Sequence, residues 1–180
     1  MFKKTGLAVA LASMLAVAAM AADKLQSGLK PGEQPGAFQV VDVNGPHKGQ
    51  QLCYRCNYGR AAVAAAFIKS DAKDAELVVT QMQKLTDQYK AKELKTFVVF
   101  MGGPELKSRI QQLATEKHIT VPLTFLPQGT GAADIQAYQI NPDASSTVML
   151  WNKMAVKTSV VNPDKGSWTQ VSKAAEEMLK

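Results

Sequence analysis

Three short, unbroken apolar runs govern what this 180-residue chain can become: AAVAAAFI at 61–68, TFVVFM at 96–101 and TVPLTFL at 120–126. A strand with no polar face must be covered on both sides, which is the mark of a parallel sheet between helical layers. The stretches between these runs carry the helices. From Ser70 to Leu94, Val78, Met82, Leu85 and Tyr89 recur on one stripe with Lys and Asp opposite, the pattern of an amphipathic helix. GGPELKSRIQQLATEKHI predicts a second helix, with Pro104 near its first position and Leu106, Ile110 and Leu113 on its inner face. Pro122 cannot donate to a ladder, so it belongs at the start of its strand or on an edge.

The flanking segments predict antiparallel additions. AFQVVDV reads as a strand, NGP as a turn and GQQLCYRC as a return segment, a small N-terminal hairpin. GAADIQAYQI predicts a short helix, and STVMLWNKMAVKTSVV two strands turning at Asn152-Lys153. A last helix is expected from Ser167, with Gln170 three residues on completing a capping box. Strands joined through crossover helices pair in parallel with right-handed connections, whereas the hairpins are antiparallel. The expected fold is therefore α/β: a mixed sheet with helices on both faces, an N-terminal hairpin, and a C-terminal hairpin plus helix.

Residues 1–21 read as a secretory leader, with Lys3 and Lys4 ahead of an apolar stretch and Ala19-Met20-Ala21 as the cleavage site. Residues 22–36, with Gly28, Pro31, Gly32, Pro35 and Gly36, read as a flexible lead-in. One domain is expected over 37–180. The expected location is periplasmic or secreted, with no membrane attachment once the leader is gone. The formal charge of +6 falls by two when Lys3 and Lys4 leave, and the remaining excess is scattered, which argues against nucleic acid.

Cys53 and Cys56 are the only cysteines, in CYRCNYG. Three chemistries are open to them. Thiol-disulfide exchange needs an attacking thiolate and a second thiol close enough to resolve the mixed disulfide, which a two-residue spacer supplies. Arg55 within the motif and Arg60 nearby favour the thiolate, and Tyr54 and Tyr58 offer a flat surface to a partner peptide. No helix N-terminus is evident at the motif to add to this. A structural disulfide fixing a tight turn explains the even cysteine count in an exported chain equally well. Metal binding would recruit His47 or His118. Two thiolates fall short of the four ligands of structural zinc but suit copper(I). Covalent haem is disfavoured because Asn57 stands where the attachment motif needs histidine. His118 reads as a helix-end cation, and Trp151 and Trp168 as packing residues. No carboxylate pair, phosphate loop or Ser-His-Asp arrangement points to hydrolysis or nucleotide chemistry.

GAFQVVDVNG, TVPLTFLPQGTGAADIQAYQI and STVMLWNKMAVKTSVV, in that order, resemble the redoxin branch of the thioredoxin-like superfamily, which includes peroxiredoxins and exported thioredoxin-like reductants. The resemblance implies a thioredoxin-like sheet and a catalytic cysteine just after the first central strand. Here KSDAKD, Lys69 to Asp74, occupies that place and holds no thiol. Ser145 and Ser146 stand where the family puts a cis proline or a nearby arginine; Pro122 belongs to the preceding strand. The pair lies ahead of the central strand instead, so peroxidase activity loses its support. The leading expectation is exchange with a protein thiol or disulfide partner, without a cofactor. Cys53 attacks, Cys56 resolves and Arg55 tunes the thiolate. The alternative is a non-catalytic binding or scaffold domain with a structural disulfide.

Overall fold

The computed structural model describes residues 25–180, so the expected leader at 1–21 lies outside the described residues. The strands and helices run in the order β1 (Val40–Asp42), β2 (Gln51–Leu52), α1 (Tyr54–Tyr58), β3 (Val63–Lys69), α2 (Ala75–Tyr89), β4 (Lys95–Met101), α3 (Lys107–Glu116), β5 (Leu123–Phe125), α4 (Ala133–Gln136), β6 (Ser146–Asn152), β7 (Ala155–Val161) and α5 (Lys165–Met178). They form one seven-stranded sheet in the order β2-β1-β5-β4-β3-β6-β7. β3, β4 and β5 are parallel; β1, β2, β6 and β7 pair antiparallel to their neighbours. This is the expected mixed sheet with helices on both faces, and none of the described helices is long and apolar enough to cross a membrane.

β3 is central and apolar on both sides because both sides are covered. Ala64, Ala66 and Ile68 face the layer containing α2, α3 and α5. Val63, Ala65 and Phe67 face α1, α4 and the N-terminal segment. The small alanines leave room for helices close to the sheet. α2 buries the predicted stripe of Val78, Met82, Leu85 and Tyr89. It starts at Ala75 rather than Ser70, and its cap residue Asp74 makes no capping bond. The Asp74 carboxylate is instead taken by the Ser145 hydroxyl, which donates to it from the loop before β6.

Three further boundaries differ from expectation for local reasons. Pro104 opens a 3₁₀ turn, and α3 proper begins only at Lys107. The C-terminal hairpin turns at Lys153-Met154, one residue later than predicted. Both take left-handed φ angles, 50° and 71°, as a two-residue turn matched to strand twist requires. Asn152 stays in the strand, paired with Ala155, and its side-chain amide donates to Met178 O at 2.8 Å. α5 is capped by Asp164, not Ser167: Asp164 Oδ1 accepts from Ser167 N at 2.8 Å and Ser167 Oγ at 2.7 Å. The same bonds hold the Asp164 carboxyl below the usual carboxylate range. Pro122, as expected, immediately precedes β5, and its carbonyl accepts from Val98 N at 2.8 Å.

The described part of the lead-in lies against the sheet. Residues 26–36 are tied to the sheet and its neighbours by a series of bonds. Gly28 N donates to Gln139 O at 3.0 Å, and Gly32 N and Glu33 O pair with Val156 at 2.9 Å each. Ser27 Oγ shares a 2.6 Å bond with Thr147 Oγ1, and Ser159 Oγ donates to Leu29 O at 2.6 Å. The polar backbone of this strap finds partners on other elements, and Leu29 and Phe38 are buried in the core. Gly28 has φ +88°, and a Cβ there would lie 2.9 Å from Ser159 Oγ and 3.0 Å from Thr147 Cγ2. Gly28→Ala should therefore lower stability by about 2–4 kcal/mol, from a left-handed backbone and overpacking together. A lowered urea midpoint would read it; an unchanged one would mean the strap contributes nothing.

Candidate functional site

β2 ends at Leu52 and the chain turns at once into α1. Cys53 is the N-cap, extended at φ −110°, and its Sγ accepts from Cys56 N at 3.1 Å. The two cysteines are joined, with Sγ atoms 2.06 Å and Cα atoms 5.2 Å apart. Residues three apart stand on one face of a helical turn, so the CxxC spacing fits this turn, and Gly59, at φ 55°, ends it. The expectation that the pair sits in a hairpin arm without a helical turn is thus corrected. α1 has only five residues, too few for any apolar period. The readable signal was a cap-like cysteine followed by glycine six residues on.

The two cysteines differ in access. Cys53 is 7% exposed and belongs to the core; Cys56 lies exposed on the outer side of the turn. Tyr54 is 1% exposed, so it presents no surface to a partner. Its ring stacks on Phe97 with centroids 5.5 Å apart, and its hydroxyl donates to Asp42 Oδ2 at 2.6 Å. Tyr58 is half-buried against Tyr54 and Phe97, with its hydroxyl donating to Thr96 O at 3.2 Å. The Arg55 side chain turns back onto the strap, its Nε donating to Pro35 O at 2.8 Å.

Asp42 went unnoticed in the sequence, although its partners lie close along the chain. It is 1% exposed. Oδ1 accepts from Gly45 N at 2.7 Å, and Oδ2 from His47 N at 2.8 Å as well as from Tyr54. A buried carboxylate thus organises the 42–47 turn and holds the first residue of α1. Burial is the main cause that pushes the Tyr54 phenol far above its ordinary value, with the Asp42 hydrogen bond and charge adding to it. Burial likewise raises Tyr58, with Asp42 reinforcing, and Tyr138 on the same side of the sheet.

His47 stacks edge-on to Tyr54 with ring centroids 6.0 Å apart, while His118 lies just past the end of α3. Among the described residues no three or more His, Cys, Asp or Glu side chains gather as a metal site. At the carboxyl end of β3, where the resemblance places a thiol, Lys69 N donates to Ser145 O at 2.9 Å and Ser145 Oγ donates to Asp74. An open cleft of about 440 Å³ lies there, lined by Phe67, Lys69, Met101, Ile135 and Asn141 among others. The cysteines lie elsewhere, where the edge strand β2 passes into α1. Ala61 N bonds Tyr58 O, and Tyr58 reaches Thr96 near the start of β4. β1, β5 and β4 lie between β2 and β3 in the sheet.

No protein-family model matches the chain, and neither does any curated protein. Solved structures do share its architecture. A putative thiol:disulfide interchange protein DsbE from Chlorobium tepidum superimposes with a TM-score of 0.70 at 14% identity, over 84% of this chain and 99% of its own. A putative protein disulfide isomerase from Bacteroides thetaiotaomicron gives 0.69 at 17%, over 86% and 94%. StoA from Bacillus subtilis gives 0.57 at 15%, over 78% and 96%. The likeness establishes the fold, which is thioredoxin-like, with its CxxC disulfide moved ahead of the central strand.

Proposed function

We propose that this thioredoxin-fold chain is an exported protein that exchanges electrons with the thiols of other proteins through Cys53 and Cys56. The observation that carries the reading is a closed CxxC pair with one exposed member, on a fold shared with proteins named for thiol:disulfide interchange and disulfide isomerisation. The leader-like sequence at 1–21 supports export to a compartment where such a pair is oxidised. Arg55 within the motif and Arg60 four residues past Cys56 bring positive charge near the pair, which favours a thiolate. Tyr58 contributes the half-exposed aromatic surface beside the pair. The exchange needs no cofactor, because each sulfur supplies or accepts the electron pair itself. Peroxidase chemistry has no support, since Asp74 and Ser145 occupy the strand end.

A structural staple is the second reading, favoured by the burial of Cys53. Closing so short a ring stabilises the fold by about 2 kcal/mol in the chain-entropy treatment. The equilibrium reduction potential separates the two readings, measured by alkylation and mass after poising the protein in thiol buffers. Exchange predicts a value above roughly −250 mV. A value below roughly −300 mV would assign the bond to structure.

A further inference from the structure

We infer that Cys56 is the sulfur through which partners connect, and that Cys53 is the leaving and resolving sulfur, the reverse of the order expected from sequence. The inference rests on the exchange reading and adds a direction to it. A thiolate attacks a disulfide along the S–S axis, from the side opposite the sulfur that leaves. Attack on Cys56 therefore comes from the outer side of α1, where Cys56 is exposed. Attack on Cys53 would have to come through the core side, where Cys53 is 7% exposed and Tyr54, its neighbour, is buried.

The leaving sulfur is prepared as well. Cys53 Sγ already accepts the Cys56 backbone N–H at 3.1 Å, and a hydrogen bond to the charged form lowers a thiol's pKa. Low pKa in the leaving thiol speeds the step. A partner thiolate attacks Cys56 Sγ, the Cys53–Cys56 bond breaks, and its electron pair departs on Cys53 as a thiolate held by that N–H. The partner is now joined to Cys56. Its second thiol, deprotonated, attacks the joined partner sulfur, closes the partner's own disulfide and releases Cys56 as a thiolate. The partner has lost two electrons and this chain has gained them. In the reverse direction the Cys56 thiolate attacks a partner disulfide and Cys53 resolves it.

Two variants test the assignment, with oxidised glutathione as the probe. Cys53→Ser leaves Cys56 free and should form the glutathione mixed disulfide about tenfold or more faster than Cys56→Ser, which leaves only the buried sulfur. Equal rates, or a faster Cys56→Ser, would overturn the inference. The unaltered protein provides a check that needs no variant. A pulse of reduced glutathione, acid quench and peptide mapping should find the adduct on Cys56; an adduct on Cys53 sinks the assignment, and no adduct on either counts against the exchange reading while the variants' rates still decide the site. The site of attack is read apart from the potential, so a pair too stable to exchange would still report which sulfur is attacked.

Discussion

Above about pH 10 the folded chain should lose stability at up to about 4 kcal/mol per pH unit. Three phenols on one side of the sheet, Tyr54, Tyr58 and Tyr138, have raised pKa values, each mainly from burial. A group whose pKa is higher folded than unfolded contributes its full stability below the unfolded value, roughly 10 for a phenol, and loses it as the pH climbs toward the folded value. Each such group changes stability by about 1.36 kcal/mol per pH unit in that window, so three give about 4. Tyr54 has the added difficulty that its phenolate would form 2.6 Å from a carboxylate oxygen. Urea midpoints between pH 8 and 11, followed beside phenolate absorbance, measure this. Smooth titration of all tyrosines near pH 10 in the still-folded protein would refute it.

Replacing Asp42 by alanine should destabilise the fold by about 3–5 kcal/mol, since it strips a buried site of its charge and orphans three donors. The Gly45 and His47 amides and the Tyr54 hydroxyl would all lose their acceptor. Asp42→Asn keeps one acceptor oxygen and should cost about half as much. Tyr54→Phe should cost about 1.5–3 kcal/mol, the range for a hydrogen bond to a charged group. The urea midpoints should fall in the order Tyr54→Phe or Asp42→Asn, then Asp42→Ala. The reduction potential of the cysteine pair should shift in all three, because Tyr54 begins the turn that holds both sulfurs. An alanine variant as stable as the parent would show that water reaches the site.

The sheet was legible where one residue type repeated long enough to carry a period. β3 and β4 read from unbroken apolar runs, and α2 from Val78, Met82, Leu85 and Tyr89. α1 was not legible, because five residues hold barely more than one turn and its order comes from the Cys53–Cys56 bond, Gly59 and the Tyr54–Phe97 stack. The contacts of the strap were hidden for the opposite reason. Its glycines and prolines look like a linker, yet its backbone partners, Gln139 and Val156, lie more than a hundred residues away. Which cysteine faces outward depends on how α1 lies on the sheet, and a two-residue spacer is symmetric on that point.

The closed end of β3 also bears on which molecules reach the sulfurs under the exchange reading. A carrier shaped to dock where the Asp74–Ser145 bond closes the strand end finds no thiol there. One that reaches Cys56 must bind the outer side of α1, which follows the edge strand β2. On that reading the circuit is insulated by address: the common scaffold is retained and the terminal is moved, so carriers built for the usual terminal pass it by.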